Sequence, residues 1–285
     1  MNAADSIFHQ VFCSIGGGKR IAVLINVCFD ESSESDSQNG LLAVCGYALD
    51  LKGIDGLILD WREMLRVYRL PYFHMSECNT CTGIFEHLTD TECDKCAREA
   101  IRIARTHPLH GHSFALDQTE YRAILQDRGF DCDPYTFMVW SAFIHVNRWV
   151  HENRPDCKIS LFFERAYKTQ RRADELLNAI WQAPMRGRNR VASYGFVKKE
   201  DSEPTQAADL VAWHVRKAFE NARNGKPIRK DYKAIVEDRK ILSIEFTAQR
   251  LEGIRGEFTR KAGSLENAAK TIFSQIDQSA VGPLA

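Results

Sequence analysis

The residues of this chain best suited to chemistry are carboxylates in places where a carboxylate is costly. Asp209 sits in Gln206-Ala207-Ala208-Asp209-Leu210-Val211-Ala212-Trp213, an otherwise apolar stretch with helical spacing. An acid on a packed helix face is unfavourable unless it is paired or bound to a cation. Gln206 lies one turn before it and Trp213 one turn after, so the three share a side. An aspartate paired with a nearby Arg or Lys satisfies the same pattern. Asp30 and Glu31 follow the apolar run 21–29 directly, and Glu164 follows the run 158–163. Neighbouring strand residues point to opposite faces, so Asp30, rather than Glu31, is the one expected to enter a site. Taken singly, Asp30 suits turn chemistry and Glu164 a solvated strand end. Taken together, Asp30, Glu164 and Asp209 are oxygen donors of the kind that hold a hard divalent cation, Mg²⁺ or Mn²⁺. Two such ions about 4 Å apart can activate a water and stabilise the leaving oxygen of a phosphodiester.

Other residue sets compete for attention. Cys78-x-x-Cys81 and Cys93-x-x-Cys96 have the spacing of paired thiolates around a tetrahedral Zn²⁺. Against zinc, residues 93, 96, 97, 100, 101 and 104 trace the inner face of a helix, where cysteine is a common small buried residue. His107, His110 and His112 also carry ligand chemistry. Residues 110 and 112 would share one face of a strand, and we read them as surface residues of a half-exposed strand. Gly16-Gly17-Gly18-Lys19 is not a phosphate loop: Cys13 and Arg20 stand at the deciding positions, and the strand comes afterwards. Arg171, Arg172, Arg186, Arg188 and Arg190, near Trp181 and Tyr194, have the charge to track a phosphate backbone. A solvated helix-to-strand loop is the better account of them.

The elements that must position the acids alternate between strand and helix. Residues 21–29 and 41–49 read as apolar strands, the second antiparallel to the first. Helical spacing covers 54–68, residues 72–88 read as irregular, and 89–106 reads as a helix with Thr89 or Asp90 as N-cap. A strand over 109–116 and an aromatic-rich helix over 135–151 follow. Strands over 158–163 and 191–198 then alternate with helices over 170–182 and 205–224, the last behind Pro204, a favoured first-turn residue. The expected fold is α/β: a mixed sheet flanked by helices, with a helical and irregular insertion around 53–106. We divide the chain into an N-terminal arm (1–20), the main domain (21–224) and a helical C-terminal extension (225–285). In such sheets, sites gather at the carboxyl ends of strands, where Asp30 and Glu164 fall.

Composition narrows the class. Of 285 residues, 38 are Lys or Arg and 38 are Asp or Glu, which argues against bulk non-specific attraction to nucleic acid but leaves room for a local groove. The first residues lack the pattern of a signal peptide, and no apolar run approaches a membrane span. Nine cysteines, an odd number, then point to free thiols in a reducing compartment. A cytoplasmic protein without a membrane partner is expected.

Four segments resemble the domain-of-unknown-function 3800 family: CFDESS (28–33), YFHMSE (72–77), LFFERA (161–166) and KKEDSEPTQAADLVAWHVRKAFE (198–220). The resemblance spans residues 21–224, and the Gln-x-x-Asp helix start is its most specific part. It implies a ribonuclease H-like fold with a metal site for cleaving nucleic acid. By position, Asp30 matches the first acid, Asp209 the helix acid and Gln206 its partner, while His74 and Glu77 match a His-x-x-acid segment. The chain departs from the pattern at Glu164, where Asp is usual, at Ser33, where Gly is usual, and at Glu77, often Asp. On this resemblance the chain is expected to be a metal-dependent nuclease acting on RNA or DNA. Asp30, Glu164 and Asp209 would bind the metal, with Glu77 or Glu31 as a fourth ligand. His74 would transfer a proton or orient a ligand, and Gln206 would hold Asp209 or a metal-bound water. The alternative is an inactive ribonuclease H-like scaffold binding nucleic acid or protein, with structural zinc at Cys78, Cys81, Cys93 and Cys96.

Overall fold

A computed structural model describes residues 23–33, 40–165, 170–182, 190–236 and 241–261. The 1–20 arm with its glycine run, and Arg186 and Arg188, lie outside the described residues. The chain begins with strands β1 (Val23–Ser33) and β2 (Leu41–Leu49), then helices α1 (Leu51–Tyr68), α2 (Met75–Thr80) and α3 (Asp90–Thr106). Next come β3 (His110–Asp117), α4 (Gln118–Ile124), α5 (Pro134–Asn153), β4 (Cys157–Glu164) and α6 (Gln170–Gln182). The rest comprises β5 (Val191–Val197), α7 (Glu203–Arg223), α8 (Lys230–Val236), β6 (Ile241–Phe246) and α9 (Ala248–Lys261).

The strands form one sheet in the order β5-β4-β1-β2-β3-β6. β1, β2 and β3 make an antiparallel meander, while β4 runs parallel to β1, β5 to β4, and β6 to β3. The fold is therefore α/β with a mixed sheet. A meander continued by parallel strands is the mixed sheet expected from the sequence.

Local chemistry sets the helix starts. Asp50 caps α1 by accepting the Gly53 N–H, and Thr89 and Glu92 close a capping box on α3. Asp133 with Pro134 opens α5, and Ser202 with Pro204 opens α7.

Alternation along β1 divides its side chains between two cores. Ile25, Val27 and Phe29 enter a layer with Phe137 and Phe143 of α5 and Leu177 of α6; Phe29 stacks on Phe163 at 5.2 Å. The other layer holds Cys45 and Tyr47 of β2, Trp61 of α1, Phe73, and Leu210 and Trp213 of α7. Parallel pairing sets Phe29 beside Phe163. One residue on, Asp30 and Glu164 therefore stand side by side on the opposite face, the one that α7 covers.

Several boundaries differ from the sequence reading. β1 continues through Asp30 and Glu31 to Ser33, because β2 pairs with it that far, whereas its pairing to β4 ends at Phe29. The segment read as irregular contains α2 and a 3₁₀ turn, Gly83–Phe85. The segment read as a helical extension contributes a strand, β6, whose ladder comes from β3. No helix among the described residues is long and apolar enough to cross a membrane.

Gly46 is the position where the meander tolerates least change. A Cβ there would meet the Cys28 carbonyl oxygen and the Phe29 ring. Both belong to the strand that carries Asp30. Gly46→Ala is expected to lower stability by about 1–3 kcal/mol, seen as a lower urea midpoint with an unchanged slope.

Candidate functional site

Three of the acids singled out in the sequence meet around one residue that was not. The Lys199 ammonium lies 3.0 Å from Asp30 Oδ2, 3.1 Å from Asp209 Oδ1 and 3.3 Å from Glu164 Oε2. Asp30, Asp209 and Lys199 are buried, and Glu164 is half-buried. Asp30 comes from β1, Glu164 from the end of β4, Asp209 from the second turn of α7, and Lys199 from the short turn between β5 and α7. Glu31 joins them: Asp30, Glu31 and Glu164 each offer an oxygen, all within 4.8 Å of one another. Strand alternation favoured Asp30 alone of the pair, but Glu31, expected from the resemblance as an alternative fourth ligand, reaches the same space.

The oxygens are unevenly satisfied. Asp30 Oδ1 accepts the Glu31 N–H at 2.7 Å, while its buried Oδ2, although close to the ammonium, has no aligned hydrogen bond among the described residues. Asp209 is held at both oxygens, by Lys199 and by the Met75 N–H at 2.6 Å.

Burial and crowding move the protons. Burial holds the Asp30 carboxyl well above the usual carboxylate range; Lys199 opposes this, while Glu164 and Asp209 add to it. Burial, then the Asp30 charge, push Glu31 up to about 8, with Lys199 opposing. Glu164 is also raised by burial, against the pull of Asp30 and Lys199. Burial by itself would lower the Lys199 ammonium, but Asp209, Asp30 and Glu164 override it and raise it, so the lysine stays charged. Three carboxylates thus share one ammonium, with Glu31 beside them.

Gln206 fixes the wall of this cage. Its Oε1 accepts the Trp61 indole N–H and the Phe73 backbone N–H, both at 2.9 Å. Its Nε2 donates to the Lys199 carbonyl at 2.9 Å. The sequence reading made Gln206 the partner of Asp209 or of a water. Its bonds instead tie α1, the 72–77 segment and the Lys199 turn together. Gln206 and Asp209 hold the backbone on either side of His74. The His74 ring pairs with Glu77 through Nδ1 at 3.1 Å and with Ser76 through Nε2 at 3.2 Å. Burial raises the Glu77 carboxyl, but His74, the Ile84 N–H and the Lys199 charge outweigh that and leave it lowered. His74 and Glu77 therefore form a pair beside the cage rather than within it.

The remaining candidates lie elsewhere. Cys81 and Cys93 form a disulfide, so the expectation of free thiols does not hold there; Cys78 and Cys96 are free and buried. His107 turns away to Asp60 at 2.9 Å. His110 and His112 share a face as expected, against Trp149, but His112 is fully buried rather than on a surface. Burial lowers its imidazole well below the usual range, so it is neutral. Arg171 and Arg172 are drawn into surface pairs with Glu175 and Asp131.

Lys199 escaped the sequence reading because Lys198-Lys199-Glu200-Asp201 looks like a solvated turn. Its place is set by tertiary structure: Glu164 pairs with Val197 at the end of β5, and the short turn that begins at Lys199 follows directly.

No family model and no curated protein matches the chain. Among solved structures it is similar to the ribonuclease H2 from Pyrococcus horikoshii OT3, at 13% identity and a TM-score of 0.39, over 89% of this chain and 99% of that one. It is also similar to a point mutant of Bst-RNase HIII, at 16% identity and a TM-score of 0.42, over 96% of this chain and 81% of that one. Neither carries a residue role over to this chain.

The raised acids set a pH dependence. Glu31 holds its proton to about 8 in the fold against 4.5 for a free glutamate, so the fold binds that proton more tightly. Its contribution to stability is full below the free value and is lost as pH rises through the folded one. In chelator, the urea midpoint is expected to fall between about pH 5 and pH 9. Glu31→Gln should flatten part of that fall; an identical profile in the variant would count against it.

Proposed function

We propose that this chain is a divalent-metal-dependent nuclease that hydrolyses phosphodiester bonds of RNA or DNA at the cage of Asp30, Glu31, Glu164 and Asp209. The observation that carries the reading is the cluster of oxygen donors: Asp30, Glu31 and Glu164 each offer an oxygen within 4.8 Å of the others, and Asp209 faces Asp30 and Glu164 across the Lys199 ammonium. Hard oxygen donors fit Mg²⁺ or Mn²⁺, which would displace the protons that burial holds on Asp30 and Glu31. Asp30 and Glu164 would hold the metal, with Glu31 at its edge and Asp209 completing the shell. Such an ion supplies Lewis acidity toward a phosphate oxygen and an acidified water. The likeness of four segments to the domain-of-unknown-function 3800 family supports the same assignment.

The chain's own groups have separable tasks in this reading. Asp209 orients the 72–77 segment through the Met75 N–H while facing the cage. Glu77 fixes the His74 ring through Nδ1, leaving Nε2 toward Ser76 as the atom able to exchange a proton with solvent or substrate. Lys199 balances the charge of the acids and, once displaced from their oxygens, offers a positive group to a phosphate.

A second reading has its own observation. An ammonium already seated among the acids suits a scaffold that binds nucleic acid or protein without cleaving it. Cleavage of labelled single-stranded and duplex RNA and DNA with Mg²⁺ or Mn²⁺ separates the two. On the nuclease reading, Asp30→Asn and Asp209→Asn each lower the rate by at least about 100-fold while circular dichroism and melting stay near the parent's. Undiminished cleavage in both variants removes it. A parent that binds but never cleaves favours the scaffold.

Lys199 gives an independent measure. Removing one partner of a buried ion pair costs about 3–5 kcal/mol. Lys199→Met is expected to lose about 3 kcal/mol of stability in chelator, and saturating Mn²⁺ to restore most of it. A variant as stable as the parent in chelator and unresponsive to Mn²⁺ would contradict a cation-dependent cage.

A further inference from the structure

Outside the acidic cage, a second constellation gathers metal-ligand chemistry. Cys78 lies in α2 and Cys81 at its C-cap, where the chain turns through φ 49°. Cys93 and Cys96 occupy the first two turns of α3. The two turns bring the two Cys-x-x-Cys pairs against each other. Cys81 is bonded to Cys93, Cys78 Sγ lies 3.6 Å from the Cys93 carbonyl oxygen, and the Cys96 thiol feels the Cys78 thiol beside it. Cys78, Cys93 and Cys96 are at most 3% exposed, in the core layer that also holds Phe73 and Phe85.

We propose that Cys78, Cys81, Cys93 and Cys96 form a tetrahedral thiolate site for one structural zinc ion that braces α2 against α3. The Cys81–Cys93 disulfide accounts for two of the four cysteines and leaves Cys78 and Cys96 as buried thiols beside it. Two Cys-x-x-Cys turns, one on a tight cap and one at a helix start, supply four ligands and leave no position open for water. Helix N-termini favour thiolates, which suits Cys93 and Cys96. The disulfide is then the oxidised, metal-free form of the site. A dithiol reductant gives two electrons and two protons to the Cys81–Cys93 bond, which breaks to two thiols as the reductant closes its own disulfide. Four thiols then release four protons as Zn²⁺ binds. The brace reaches the cage through α2, since His74 is its N-cap and the Met75 N–H holds Asp209. The proposal does not depend on nuclease activity.

The test uses the full chain, reduced without oxygen by a phosphine and supplied with zinc, then desalted. Mass spectrometry of the metal content should give about one zinc per chain, released by a mercurial thiol reagent. Cobalt(II) in its place should show thiolate-to-metal charge-transfer absorption. Cys78→Ser and Cys96→Ser, which leave the disulfide pair intact, should lose the metal, whereas Asp30→Asn keeps it. Less than about a tenth of an equivalent of zinc in the reduced parent overturns the proposal; so does zinc retained by the Cys78→Ser/Cys96→Ser double variant. The parent's metal content and cobalt spectrum decide the matter even if the serine variants do not fold.

Discussion

The centre of this structure depends on one buried ammonium. Lys199 sits within 3.3 Å of three carboxylates drawn from two strands and a helix. Without a cation at that point, β1, β4 and α7 would bring like charges together in a poorly hydrated place. At about 3 Å and an effective dielectric near 20, each contact is worth roughly 5 kcal/mol of attraction. Desolvating each ion costs several kcal/mol in the opposite direction. The two nearly offset, so the cage is held together without being tightly closed around its lysine. A doubly charged ion attracts the same oxygens about twice as strongly. Under the proposed reading, the lysine keeps the acids assembled in the interval between metal ions.

The fold and the site were legible in the sequence to different depths. Strand-sized apolar runs ending at acids gave the right strands and the right face, because burial on both sides of a sheet leaves a periodicity of its own. Asp30, Glu164 and Asp209 stood out because their neighbours are apolar, and the structure brings them together. Lys199 did not stand out, since its neighbours are Lys198, Glu200 and Asp201, and its place is set by tertiary structure. Gln206 was noticed for its spacing from Asp209, yet its contacts run to Trp61 and Phe73, far away in the chain. No pattern local to the sequence reports a hydrogen bond of that span.

Other differences have tertiary causes as well. β6 is largely exposed, so it shows little apolar patterning; β3, not its own composition, makes it a strand. His112 looked like a surface residue of a half-exposed strand, but Trp149 of α5 covers it. Glu31 should face away from Asp30 by strict alternation. The end of β4 pairing at Phe29 leaves β1 held from one side only, and both acids reach the same space.

The Gln206 amide has a consequence for the order in which the protein comes into being. It joins the indole of α1, the backbone before His74 and the carbonyl of Lys199, and so makes the site a product of closure between early and late parts of the chain. During synthesis, Asp30 and Glu164 emerge well before Lys199, Gln206 and Asp209. Until α7 docks, the two acids, set side by side by the β1–β4 pairing, have no cation between them and no wall carrying His74. A nascent chain therefore carries the parts of the cage without the cage, and whatever chemistry the site performs begins only when its last long helix has been made and packed.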